Sequence, residues 1–143
     1  MIKDQHDYKW WVPITFDYAG GDFDYAGGHM NETTPSHWLT PDEVEIEIEN
    51  LEKNKAVIVN IQQTGYYRVN YDNENWNLII SALQDGTNSI NRINRGQIFN
   101  DLFNLAKTGH VSYNLALDST KYLFSETDYI PWKAGLISLG KKL

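Results

Sequence analysis

The chain has 143 residues, 41% of them hydrophobic, enough for one ordinary core or two small ones. Twelve Lys and Arg against nineteen Asp and Glu give a net charge of −7, a balance that repels nucleic acid and anionic membrane surfaces alike. No run approaches the roughly 18 to 20 apolar residues of a membrane span, residues 1–7 lack the apolar centre of a signal peptide, and the absence of cysteine removes disulfides, thiolate nucleophiles and Cys-type zinc sites.

The first predicted element is a strand over Trp10 to Phe16, rich in aromatic and β-branched residues. Asp17 to Phe23 is then repeated at once by Asp24 to Met30, each copy opening Asp-Tyr-Ala-Gly-Gly. Two copies are too few for a solenoid, so residues 17–30 are expected to form a duplicated surface loop, which lengthens a connection at little entropic cost. Its functional rival is a partner-binding lobe using Tyr18, Phe23 and Tyr25. Asn31-Glu32-Thr33 is the only N-x-S/T triplet in the chain, making Asn31 a candidate N-glycosylation site of the kind found on secreted proteins.

Glu43 to Glu49 alternates strictly, with Val44, Ile46 and Ile48 on one face and Glu43, Glu45, Glu47 and Glu49 on the other, and predicts a half-buried strand. Four carboxylates in a row could hold calcium or a polyamine, but a charge run without other ligands is expected to face solvent and to protect a sheet edge. Ala56 to Ile61 predicts a further strand, Gly65 a turn that uses positive φ, and Tyr66 to Tyr71 a returning strand. The three together predict an antiparallel hairpin.

After Asp72 the apolar spacing becomes helical. Trp76, Ile79, Ile80 and Leu83 share a face, with Asp72 or Asn73 as N-cap. A second helix aligns Ile98, Leu102, Leu105 and Ala106 and stops at Gly109. A third groups Tyr113, Ala116, Leu117, Thr120 and Leu123. The fourth starts near Pro131, whose missing N–H costs nothing in a first turn, and aligns Trp132, Leu136, Leu139 and Leu143. Short connections make successive helices antiparallel neighbours, so the chain reads as β first, then a helical stack. Trp76 and Trp132 are expected to be core anchors. Arg68, alone on its strand, could anchor a carboxylate, but a structural pair with Asp72 or Asp101 is favoured, and Arg95 is read in the same way.

Catalytic constellations are absent from the sequence. The histidines are His6, His29, His37 and His110, so no H-E-x-x-H zinc motif exists. His29 and His37, eight apart across Pro35, are expected to be solvated surface. There is no G-x-S-x-G elbow, P-loop or dinucleotide-binding glycine turn. No catalytic, cofactor-binding or metal-binding residue is assigned.

In order and spacing, Gly65-Tyr66-Tyr67-Arg68-Val69-Asn70-Tyr71-Asp72 followed by Trp76 resembles the aminopeptidase N family of zinc metallopeptidases. Supporting pieces are Trp11-Val12-Pro13-Ile14, Asn94-Arg95-Gly96-Gln97-Ile98, Asp101, Leu105-Ala106 and Glu126 through Trp132. Departures are Gly96, where the family usually has alanine, the tandem loop, and a missing tryptophan near Lys55-Ala56. The resemblance implies an α+β chain in sequence order: residues 1–72 as the last antiparallel strands of a β-sandwich, and residues 73–143 as the start of an antiparallel, HEAT-like helical array. It further implies a noncatalytic structural segment, inactive alone, of an enzyme that removes N-terminal residues from peptides. That enzyme's zinc and its G-A-M-E-N and H-E-x-x-H motifs belong to a preceding domain. Implied partners are the remaining domains and the peptide substrate, at the outer face of the plasma membrane. Two alternatives are a receptor module using residues 17–30, since some insect gut relatives serve as toxin receptors, and an independent adaptor. A sandwich lacking strands and an array lacking its later helices would leave the chain alone marginally stable or self-associating.

Overall fold

A computed structural model describes residues 9–19, 29–49, 51–85 and 89–140. Small antiparallel sheets come first and four helices follow, an α+β arrangement. Strand β1 (Val12–Ile14) pairs with β3 (His37–Leu39), Val12 facing Leu39, and β2 (Phe16–Tyr18) pairs with β4 (Val57–Val59), Phe16 facing Val59. The single strand expected over Trp10 to Phe16 is therefore split at Thr15. That buried residue is taken out of both ladders because its carbonyl accepts the Asn60 N–H at 2.8 Å and its Oγ1 accepts the Ile61 N–H at 2.8 Å.

Two expected strands do not form. Residues 43–49 join no strand ladder among the described residues: Glu43 Oε2 accepts the Thr40 N–H at 3.0 Å and closes a turn, Val44 stands 95% exposed, and only Ile46 and Ile48 keep the half-buried alternation. Residues 66–71 make no hairpin with β4, whose partner is β2. A left-handed residue at Asn60 diverts the chain after β4, and the tyrosines reach back with their hydroxyls instead of their backbone. Tyr67 Oη donates to the Pro13 carbonyl at 2.7 Å, and Tyr71 Oη accepts the Val59 N–H at 2.9 Å. Gly65 is not at positive φ; its place is set by space, because a Cβ there would overlap the Tyr67 ring.

Helix α1 (Asn73–Gln84) opens on Asp72, whose Oδ1 accepts the Asn75 N–H at 2.7 Å, and buries Trp76, Ile79, Ile80 and Leu83 as expected. Helix α2 (Arg92–Lys107) is capped by Asn91 and ends where Gly109, at φ 80°, turns left-handed. The Gly109 N–H then reaches Ala106 O at 3.1 Å and the His110 N–H reaches Leu105 O at 2.9 Å, the paired closure of a Schellman motif.

The last two helices differ from expectation in the face they bury. Helix α3 (Tyr113–Ser119) tightens into a 3-10 turn over residues 120–124, which rotates the buried stripe to Ala116, Ser119, Tyr122 and Leu123 and leaves Tyr113 and Leu117 exposed. Helix α4 (Tyr129–Gly140) turns Pro131, Gly135 and Ser138 inward. Close approach explains the choice. A Cβ at Gly96 of α2 would lie 3.2 Å from Ile130 Cγ2, and one at Gly135 would lie 2.9 Å from Leu123 Cδ1, so only small residues fit that face. Trp132 and Leu136 consequently point outward, Leu139 is half-buried, and Leu143 lies outside the described residues. One buried apolar cluster joins the two parts, with Ile58 and Ile61 packed among Trp76, Ile79, Phe99 and Leu102.

Candidate functional site

The segment from Asn60 to Arg68, where the sheets meet α2, combines backbone strain with a dense set of hydrogen bonds. Asn60, Gln62 and Gln63 all have positive φ, at 64°, 53° and 55°. For a non-glycine residue such a conformation costs on the order of 1–3 kcal/mol and persists only where the surroundings impose it. Asparagine tolerates it best. Here Asn60 is fully buried: its Nδ2 donates to the carbonyls of Gly65 at 2.9 Å and Tyr67 at 3.3 Å, and its Oδ1 accepts the Gly65 N–H at 2.8 Å. From α2, Asn94 Nδ2 donates to Asn60 O at 3.0 Å and to Gln97 Oε1 at 2.8 Å, while Asn94 Oδ1 accepts the Gln62 N–H at 2.8 Å.

One and two turns further along α2, Gln97 and Asp101 extend the network. Asp101 Oδ2 accepts the Val69 N–H at 3.2 Å and Gln97 Nε2 at 3.4 Å, and Oδ1 accepts Arg68 Nη1 at 3.0 Å. The same Nη1 lies 2.6 Å from Asn100 Oδ1. Burial pushes the Asp101 carboxyl above its ordinary value, opposed by the Val69 N–H, the Gln97 amide and the Arg68 guanidinium. Burial likewise raises the Tyr67 and Tyr71 phenols. No buried side-chain nitrogen or oxygen among the described residues lacks a partner. Above this floor lies a groove of about 440 Å³ lined by Gln63, Gly65, Tyr66, Tyr67, Arg68, Asn100 and Asp101. Its wall carries the fully exposed Tyr66 and the half-exposed Arg68. Such a surface can hydrogen-bond a polar chain and stack on it, but it sets no nucleophile beside a base.

Of the residues singled out in the sequence, Arg68 pairs with Asp101 and not with Asp72, which caps α1. Arg95 is buried against Glu126, with Nε–Oε2 at 2.8 Å and Nη2–Oε1 at 3.2 Å. Trp76 is a core anchor whose Nε1 donates to Asn70 Oδ1 at 3.0 Å. Trp132 is not: it is partly exposed and donates from Nε1 to Glu126 O at 2.9 Å. His37 Nδ1 lies 2.9 Å from Ser36 Oγ, and only the backbone of His29 is described. Of the tandem loop, residues 20–28 lie outside the described residues, while Ala19 and Met30 at its ends are buried. Asn60, Asn94 and Gln97 were given no role from the sequence; the available signals were an asparagine inside the apolar run Val57 to Ile61 and the Asn94 to Ile98 piece of the resemblance.

The residues present do not fit a zinc site. The sequence has no H-E-x-x-H, and no three His, Cys, Asp or Glu side chains converge among the described residues.

Residues 56–142 match the family described as ERAP1-like C-terminal domain. The chain is 45% identical over 108 residues to Aminopeptidase N of Plutella xylostella, covering 74% of this chain and 11% of that protein. It is 39% identical over 135 residues to Aminopeptidase N of Homo sapiens, covering 94% and 13%. It is also 39% identical over 126 residues to Membrane alanyl aminopeptidase of Heliothis virescens, covering 87% and 12%. The chain thus spans about an eighth of the length of these relatives, or slightly less.

Proposed function

This chain belongs to the aminopeptidase N family through an ERAP1-like C-terminal domain, and from that premise we propose that it is a noncatalytic structural segment of an enzyme that removes N-terminal residues from peptides. In this reading residues 1–72 complete a β-sandwich, residues 73–143 begin a HEAT-like helical array, and the Asn60–Asp101 network fixes the angle between them. The remaining domains of the enzyme are its partners, and they supply the zinc that polarises the scissile carbonyl and activates water. The segment closes one side of the substrate chamber at the outer face of the plasma membrane, where the groove beside Tyr66 and Arg68 can touch the peptide.

One observation carries the proposal: Asn94 and Asp101, both among the residues that carry the resemblance, bond α2 to the segment from Asn60 to Val69. Asn94 joins the Asn60 carbonyl to the Gln62 N–H, and Asp101 joins Val69 to Arg68. Buried polar networks of this kind rigidify an interface when every member is paired. Purified chain supplied with zinc should release no residue from aminoacyl anilides; chelator-sensitive release would overturn the proposal. In a complete aminopeptidase carrying this segment, Asn94→Ala should lower the thermal midpoint and leave KM unchanged. A raised KM at an unchanged midpoint would make the junction a substrate site instead.

A further inference from the structure

We infer that Asn31 is an N-glycan acceptor whose first sugar lies along the polar groove between residues 29–31 and the start of α2. Asn31-Glu32-Thr33 is the one N-x-S/T triplet in the chain, and the fold presents it. Asn31 ends a short 3-10 turn, His29–Asn31, whose middle residue Met30 is buried with its sulfur 3.2 Å from the Asn91 nitrogen. The buried methionine anchors the turn and leaves the asparagine exposed. Gln62 Nε2 donates to both Met30 O and Asn31 Oδ1 at 3.1 Å. The orientation of the Asn31 carboxamide is thereby set from its oxygen.

Beside Asn31 runs a groove of about 420 Å³ lined by Gln62, Asn91, Arg92, Arg95 and Asp128, with Ile90 and Ile93. Its floor is electrically balanced, because the Arg95 guanidinium is held by Glu126, while Arg92 at the rim is largely exposed. Donors and acceptors dominate, so hydrated sugar hydroxyls meet polar partners there rather than an apolar wall. The donor is an oligosaccharide carried on a lipid diphosphate. Asn31 Nδ2 bonds to C1 of the first sugar and gives up one proton, the bond from C1 to the diphosphate oxygen breaks, and the lipid diphosphate leaves. The Thr33 hydroxyl is the feature the transferase reads two residues on.

The natural occurrence of this modification rests on the extracellular placement proposed above, so the test supplies its own route. The full chain is secreted from insect cells behind a heterologous leader. The expected result is a single mobility shift, removed by peptide-N-glycosidase with conversion of Asn31 to Asp. The shift should be lost in Asn31→Gln and in Thr33→Ala and kept in Thr33→Ser. Secreted chain with native circular dichroism and unmodified Asn31 overturns the acceptor. Contacts by nuclear Overhauser effect from the first sugar to Asn91 or Arg92 are expected, and a sugar showing neither overturns its place in the groove. Failure of the extracellular placement reads out separately, as resistance of the natural enzyme to protease added outside intact cells.

Discussion

The helical half and the sheet-bearing half hold themselves together by opposite means. Helices α1 and α2 are closed locally: Asp72 and Asn91 cap their first turns, Gly109 ends α2, and their apolar faces follow the helical period. The sheets are pairs of three-residue strands, too short to stand alone. Side chains bind their backbone instead, with Thr15, Tyr67, Tyr71 and Asn75 each reaching a main-chain group far along the sequence. Asn75 reaches from α1 to both the N–H and the carbonyl of Val57. The contrast teaches that the first half is specified by side chains reaching between residues distant in sequence, some of them from α1 and α2, and the second largely by local signals.

The largest expected effect sets a limit on that independence. Arg95 and Glu126 join the first turn of α2 to the start of α4; Arg95 Nη1 also donates to Ile90 O at 2.7 Å, and Glu126 Oε1 accepts the N–H groups of Thr127 and Asp128. Arg95→Ala leaves Glu126 buried without its countercharge and should cost about 3–5 kcal/mol in urea unfolding at neutral pH. Glu126→Gln keeps an acceptor and should cost less. If Arg95→Ala costs under about 1 kcal/mol, the orientation of α4 is set by packing alone.

Next in size is Asn60→Ala, which removes three side-chain hydrogen bonds and places at positive φ a residue that tolerates it less well than asparagine. A loss of about 2–3 kcal/mol is expected. Asn60→Gly restores the backbone freedom without the bonds and should recover part of it. Hydrogen exchange locates the damage: the Val57 and Val59 amides should lose protection while the interior of α1 keeps its own. Equal loss in both places would abolish the distinction between the halves.

That distinction also decides what could be read from the sequence. Helices α1 and α2, the Asp72 cap, the Gly109 stop and Trp76 were legible because their signals lie within a few residues of one another, whereas the Asn91 cap of α2 was not singled out. The buried stripe of α4 is not the expected one because Trp132 and Leu136 look more apolar than Pro131, Gly135 and Ser138, yet Gly135 packs so close to Leu123 of the 3-10 turn that a Cβ there would lie 2.9 Å from Leu123 Cδ1. In the sheet-bearing half, alternation in residues 43–49 was real but found no partner strand, and the tyrosines of 66–71 gave a strand pattern while acting through their hydroxyls. Arg68–Asp101 was legible as one of two candidate charge pairs. Asn94 was not, because its value depends on the Asn60 carbonyl 34 positions away, nor was Asn60, whose side chain serves the backbone of Gly65 and Tyr67 across an irregular turn.

The smallest effect tests what kind of force joins the halves. The raised Asp101 carboxyl means that burial outweighs the combined pull of the Val69 N–H, the Gln97 amide and the Arg68 guanidinium. The folded chain therefore binds more protons than the unfolded one above the ordinary aspartate value. Asp101's contribution to stability is fully present below that value and declines as pH rises through the raised folded one. Urea midpoints of the wild type and Asp101→Asn, measured from about pH 3 to 6, isolate this slope, since the other carboxyls titrate in both. The wild type should lose ground relative to the variant as pH rises. If it gains instead, the Arg68 charge dominates the pair although Arg68 is half-exposed, and the junction is an electrostatic clasp; a loss leaves acceptance of the Val69 N–H as the reason an aspartate stands there.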